Sequence, residues 1–128
     1  DANIPDGESF ARQFLLGQRF FQEHFGDVSP VFWLPDTFGY SAQLPQICKK
    51  AGVKYFLTQK LSWNLINKFP HHSFKWEGID GTSLLTHFPP ADTYVDSAEV
   101  SSIMHGLNQY AQKGVSSESM MLFGHGDG

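Results

Sequence analysis

Two short apolar runs, Val31 to Leu34 and Val53 to Thr58, flank a segment that begins and ends like a helix. Ser41 stands as the candidate N-cap, Lys49 and Lys50 fall in the last turn where they complement the helix dipole, and Gly52 sits at the C′ position. Pro35 has no N–H to give a central ladder, so the first strand ends before it. Strand, helix and strand with short connections make a βαβ unit, whose strands run parallel. This predicts the α/β class. In such folds ligands and catalysis sit where strands release the backbone into loops. Here the first carboxylate past the strand is Asp36.

The remaining elements are read around that unit. Phe10, Phe14, Phe21 and Phe25 recur near helical spacing with polar residues between them, which predicts a helix from Glu8 to Phe25, stopped by Gly26 and packed by its phenylalanines on a sheet. Between Phe74 and Phe88, Phe74 and Trp76 alternate with Lys75 and Glu77, Asp80-Gly81 marks a turn, and Leu84 onward is apolar again. That pattern predicts an inserted β-hairpin decorating the framework, ended by Pro89 and Pro90. A helix is expected from Ser97 to Gln112 with Gly114 as its stop, then a third parallel strand over Met120 to Phe123. No repeat, low-complexity run or linker divides residues 1–128, which read as one partial α/β domain.

Composition bears on what surrounds such a domain. Hydrophobic residues at 41% suffice for a core, whereas charged residues at 17% fall below the roughly 25% of ordinary domains. A surface so poor in charge, a start at Asp1 and an end inside a turn-like run are expected of a piece of a larger domain, truncated at both ends. The net charge of -4, with scattered Lys and Arg, argues against a nucleic-acid partner. No apolar run approaches the ~20 residues of a membrane span, and no signal-peptide pattern opens the chain. The single Cys48 cannot form an internal disulfide and reads as a small buried hydrophobe within a helix.

Each of the three expected parallel strands is followed by a charged group: Asp36, Lys60 and Asp127. All three would emerge on one face of the sheet. Read without that pattern, Asp36 is a turn residue before a helix and Lys60 a solvated loop lysine. His71 and His72 are adjacent on an extended backbone and point to opposite sides, so they do not pair easily as metal ligands. His87 is expected to be satisfied by a backbone partner, His24 and His105 to lie on helix surfaces, and His125 to neighbour the site. Trp33, Phe38, Tyr40 and Trp63 are the aromatic side chains near these strand ends that could stack on a ligand, with Phe38 and Trp63 the better candidates.

Trp33-Leu34-Pro35-Asp36-Thr37-Phe38-Gly39-Tyr40-Ser41, Thr58-Gln59-Lys60-Leu61-Ser62-Trp63-Asn64, Phe69-Pro70-His71-His72 and Gly126-Asp127-Gly128 occur in that order. Together they resemble the class II α-mannosidases of glycoside hydrolase family 38, and most resemble the cytosolic or neutral branch, which includes vacuolar relatives. The resemblance covers essentially the whole chain. It implies a retaining exo-α-mannosidase acting on mannose-containing oligosaccharides, using a divalent metal, zinc or cobalt, in a parallel-stranded (β/α) barrel-like domain. Asp36 matches the aspartate that is both nucleophile and metal ligand, and Asp127 matches the candidate acid and base. Lys60 falls where other branches carry arginine. A fixed cation there favours the ionised form of Asp36, though without bidentate hydrogen bonding. Tyr94 matches a tyrosine that contacts the nucleophile, and Phe38, Trp63 and Tyr94 are the candidate substrate contacts.

The His-x-Asp segment and the later His-Asp segment that complete the family's metal site are absent, leaving Asp36 as the one ligand. A lone carboxylate does not hold zinc, which takes about four donors, so the isolated chain is expected to be inactive. Two other readings compete: a metal-dependent carbohydrate deacetylase, and a noncatalytic sugar-binding module. The expected setting is cytoplasmic, with a vacuolar or lysosomal-like compartment as the alternative, and the full-length protein is expected to be a homo-oligomer that engages neither nucleic acid nor membrane. The lack of an Asn-x-Ser/Thr acceptor fits the cytoplasmic expectation.

Overall fold

The computed structural model describes residues 1–126. Helix α1 spans Gly7–Phe25, β1 Val31–Leu34, α2 Leu44–Lys50, β2 Tyr55–Thr58, a 3-10 turn Lys60–Trp63, β3 Ser73–Glu77, β4 Ser83–His87 and α3 Val100–Gln109. The strands form one sheet in the order β1-β2-β4-β3. β1 and β2 pair in parallel from Val31 opposite Tyr55 to Leu34 opposite Thr58, which is the expected βαβ unit.

The hairpin is part of this sheet. β4 pairs in parallel with β2, Tyr55 facing Leu85, and β3 pairs antiparallel with β4, Ser73 facing His87. Two expectations are corrected together: the hairpin is not an inserted decoration, and the third parallel strand is β4. Met120 to Phe123 is not a sheet strand and makes one isolated bridge, Phe123 to Asp96. β3 and β2 occupy both sides of β4, so that run cannot pair beside it. The described residues thus make an open mixed sheet.

Leu84 is fully buried and lies with Cys48, Val53 and Phe56 at the centre of the core; Phe14, Phe32, Leu34, Tyr40 and Trp76 pack around them. Cys48 is buried in α2 as expected, and burial pushes its thiol up to about 12. The chain start of α1 is capped by Asp6, whose carboxylate accepts from the Ser9 N–H at 2.7 Å, and Gly26 closes the helix at φ 78°. Phe14 meets Phe32 edge-on at 4.8 Å, and Gln18 exchanges hydrogen bonds with the Ser29 backbone. Phe21 and Phe25, expected on the sheet, are exposed and lie against each other with tilted rings 5.6 Å apart. A helix of this length is about 28 Å long, whereas a four-residue strand covers about 13 Å, so the last turns overshoot the sheet.

Both later helix starts differ from the caps expected. Gln43 precedes α2, without a side-chain cap bond. The Ser41 carbonyl accepts from Leu44 N–H in a turn before it, and Pro45 in the first turn needs no N–H partner. Gly52 has the expected left-handed backbone, φ 85°. At α3, the left-handed Ala98 separates Ser97 from the helix, so Ser97 cannot cap it. The helix stops at Gln109 because Tyr110 turns to extended backbone and sends its buried side chain to the Ser73 hydroxyl, 2.9 Å away.

His72 and His87 are built into the fold. His72 Nδ1 accepts from the Ala111 N–H at 3.0 Å, and its buried Nε2 has no partner among the described residues. His87 Nδ1 lies 2.9 Å from the Ser73 hydroxyl and its Nε2 accepts from the Met120 N–H, the backbone partner expected. His71 is exposed while His72 is buried, so the two do point apart. Burial lowers both the His72 and the His87 pKa from the ordinary value of 6.5. Below that value the unfolded chain binds more protons than the folded one, so stability rises with pH through the window beneath 6.5 and is lost as pH falls. Urea denaturation followed by Trp fluorescence should show stability falling as pH is lowered from about 7 to about 5. His87→Gln should flatten part of that dependence; an unchanged profile would contradict the assignment.

Candidate active site

Asp36 emerges two residues past the end of β1, and Lys60 opens the 3-10 turn that follows β2. Because β1 and β2 are parallel and in register, both groups leave the same edge of the sheet. Lys60 Nζ lies 3.4 Å from Asp36 Oδ1. The third parallel strand, β4, is followed by the strap that carries Tyr94. Its hydroxyl donates to Asp36 Oδ2 at 3.0 Å and accepts from Lys60 Nζ at 3.3 Å. The expectation of one charged group after each strand therefore holds at Asp36 and Lys60, and the described third member is Tyr94. Asp127 lies outside the described residues.

The two charges sit in different surroundings. The Lys60 side chain is 6% exposed and that of Asp36 is 48% exposed, so the carboxylate is presented to solvent by a buried cation. Burial opposes the charged form of Lys60, but the Tyr94 hydroxyl and the Asp36 carboxylate outweigh it and raise the lysine pKa. Aromatic faces complete its surroundings: Lys60 Nζ stands 3.9 Å from the Trp63 ring centre, 4.7 Å from Tyr94 and 5.4 Å from Phe38. These are cation–π distances. Phe38 meets Trp63 edge-on at 5.5 Å, and both remain largely exposed.

All five candidate side chains that fall in the described region, Asp36, Phe38, Lys60, Trp63 and Tyr94, thus come together. Beside them lies a cavity of about 400 Å³ lined by Lys60, Trp63, Asp92, Tyr94, His125 and Gly126, so His125 is a neighbour of the site as expected. A larger apolar groove of about 870 Å³ runs between α1 and β1 past Phe14, Val31 and Trp33 and touches Asp36 at one end. Its lining offers little to a polyhydroxylated ligand. Tyr40 is drawn into the core instead, packed on Phe56 and Trp76 with its hydroxyl 2.5 Å from Thr58 Oγ1, and Trp33 is exposed at a β1 position that alternates with the core residues Phe32 and Leu34.

Sequence reasoning missed Gln59 and Asp92. Gln59 is fully buried at the start of the 3-10 turn, and Asp92 takes a left-handed backbone before Tyr94. The one signal for Asp92 was its type, since Asp and Asn enter that region more readily than other side-chain-bearing residues.

The model of the glycosyl hydrolases family 38 N-terminal domain matches residues 1–128. The chain belongs to that family. It is 59% identical to alpha-mannosidase G of Dictyostelium discoideum, 56% to alpha-mannosidase 2C1 of Mus musculus and 55% to an alpha-mannosidase of Saccharomyces cerevisiae. Each match covers the whole chain and 12% of the relative, so the chain spans about an eighth of these proteins. Its fold is like that in the crystal structure of an alpha-mannosidase from Enterococcus faecalis V583. That likeness has a TM-score of 0.66 at 20% identity, over 91% of this chain and 14% of that one.

Within this family 38 chain, the described residues do not make a metal site by themselves. No group of three or more His, Cys, Asp or Glu side chains among them could hold an ion. Asp36 contributes one carboxylate, and Lys60 and Tyr94 already engage its two oxygens. None of the described helices is long and apolar enough to cross a membrane.

Proposed function

We propose that the full-length protein is a retaining exo-α-mannosidase that removes terminal α-linked mannose from oligosaccharides, with Asp36 as its nucleophile. One observation carries this reading: a half-exposed carboxylate at the end of a parallel strand, held on one oxygen by a buried ammonium and on the other by a tyrosine hydroxyl. Both partners fix its direction, and neither takes its negative charge away. Membership of family 38 and similarity to three proteins named alpha-mannosidases support the substrate class.

In this mechanism an Asp36 oxygen attacks the anomeric carbon as the leaving oxygen takes a proton from Asp127, giving a glycosyl-enzyme. Asp127 then removes a proton from the water that releases mannose, so configuration is retained after two inversions. Retention needs the two carboxyl groups about 5 to 5.5 Å apart. Phe38 and Trp63 present exposed aromatic faces to the sugar, and Tyr94 orients Asp36. Asp36 is also the one ligand these residues offer to a divalent metal, zinc or cobalt; the other donors, and the strands that close the sheet into a (β/α) barrel, belong to the parent polypeptide. The 128-residue chain alone should therefore neither bind metal tightly nor cleave an aryl α-mannoside, and measurable metal-dependent cleavage by it would refute this. We place the parent in the cytoplasm as a homo-oligomer.

The stereochemistry is tested on the full-length protein. Proton NMR of the first product released from an aryl α-mannoside should show the α-anomer of mannose before mutarotation. A β-anomer would overturn the double displacement, and release of acetate from an acetylated sugar in place of mannose would point to a deacetylase.

A further inference from the structure

Seven residues past the end of β4, the chain has delivered the Tyr94 hydroxyl to Asp36, and its path there is held at several points. Phe88 N–H donates to the His72 carbonyl at 2.6 Å. Pro89, Pro90 and Ala91 are buried, and Ala91 packs against Gly106 of α3. Asp92 then turns the backbone at φ 60°, in the left-handed region that residues with a side chain seldom take.

That conformation is anchored from α3. Gln109 Nε2 donates to Asp92 Oδ2 at 2.7 Å and to the Pro90 carbonyl at 3.1 Å, and lies 2.6 Å from His105 Nε2. Gln109 Oε1 in turn accepts from Lys68 Nζ at 2.5 Å. On the other side the Asp92 carbonyl accepts from the Ser62 hydroxyl at 3.4 Å, and Ser62 Oγ accepts from the Gln59 amide at 2.8 Å. The turn that carries Lys60 therefore also holds the strap that carries Tyr94. Among the described residues, no hydrogen bond or ion pair joins Asp92 to Asp36 or Lys60 directly.

We infer that Asp92 and Gln109 form a clamp that positions Tyr94 on the Asp36 carboxylate, which makes them positioning residues for glycosidic cleavage. This inference deepens the mannosidase reading and rests on it. Tyr94 lies between two anchors of the strap, the Asp92 turn before it and the bridge of Asp96 to Phe123 after it, and of the two it is the turn that is tied by side chains to α3 and to the turn of Lys60. Aspartate suits the position because it tolerates the left-handed backbone and offers the acceptor that Gln109 needs. An error of about 1 Å in a positioning group can cost up to about 100-fold in rate.

The test uses the full-length protein and an aryl α-mannoside. Asp92→Ala and Gln109→Ala should each lower kcat about tenfold with KM within about twofold, while Asp92→Asn, which keeps both backbone tolerance and acceptor, should stay within about threefold of wild type. Because the clamp acts through Tyr94, adding Gln109→Ala to Tyr94→Phe should cost no more than about twofold beyond Tyr94→Phe alone. Full additivity, an Asp92→Asn enzyme as poor as Asp92→Ala, or Tyr94→Phe with wild-type kcat would overturn the clamp. If Asp92→Ala fails to fold, Gln109→Ala removes the same bond from the α3 side and keeps aspartate at the turn. A crystal structure of the Gln109→Ala protein decides the point without turnover: the Tyr94 hydroxyl should leave Asp36, and its retention at about 3 Å would overturn the clamp. A wild-type protein that cleaves no mannoside would refute the mannosidase reading, and the crystal structure would still judge the clamp.

Discussion

Asp36→Asn in the full-length protein is expected to lower kcat for an aryl α-mannoside by at least about 10³-fold, because a neutral amide cannot form the glycosyl intermediate. The substitution is nearly isosteric. Its carbonyl oxygen can still accept from Tyr94, but its amide can present N–H to Lys60, so the site loses its nucleophile and leaves a buried ammonium without a counter-charge. Fold stability should change far less. The Asp36 side chain is 48% exposed, so water recovers part of what the buried Lys60 ammonium loses with its counter-charge, and the fold is weakened without being lost. Circular dichroism of the variant should match wild type and its thermal midpoint should fall only slightly, while turnover is lost. A variant with wild-type turnover would remove Asp36 from the nucleophile's role.

How far the sequence disclosed this arrangement depends on the range of the signal. β1, α2, Gly52 and β2 were legible because local rules govern them: apolar runs of strand length, basic residues in a last turn and a glycine just beyond it. The hairpin was legible as a hairpin, but its place in the sheet was not. Nothing in the alternation of Phe74 to Phe88 says whether β4 pairs with β3 alone or also with β2, because strand order is set by long-range packing around Leu84 and Phe56. Met120 to Phe123 looked like a strand for the same reason, as an apolar run judged without knowing which edges remained open. The site residues Asp36 and Lys60 followed from their places after parallel strands, and the family resemblance tied Tyr94, Phe38 and Trp63 to them. The missed Asp92–Gln109 contact joins residues far apart in sequence and has no periodic signature.

Lys60 should show the second large effect, and its substitutions separate charge from shape. Lys60→Met keeps the aliphatic stem that fills the space against Trp63 but removes the ammonium from Asp36 and Tyr94. Removing one fixed electrostatic group from an active site typically costs about 10²-fold or more, and a loss of roughly 100-fold in kcat/KM, about 2.7 kcal/mol, is expected. Lys60→Arg restores the charge, and a guanidinium can lie flat on the Trp63 ring, so it should recover at least about a tenth of the wild-type rate. Lys60→Gln, which hydrogen-bonds without charge, should resemble Met if the lysine acts electrostatically. Arg as poor as Met would mean that the close cage of Phe38, Trp63 and Tyr94 demands lysine's shape. Gln as good as wild type would mean that Lys60 serves only to hold Tyr94 in place, and the electrostatic role would fall.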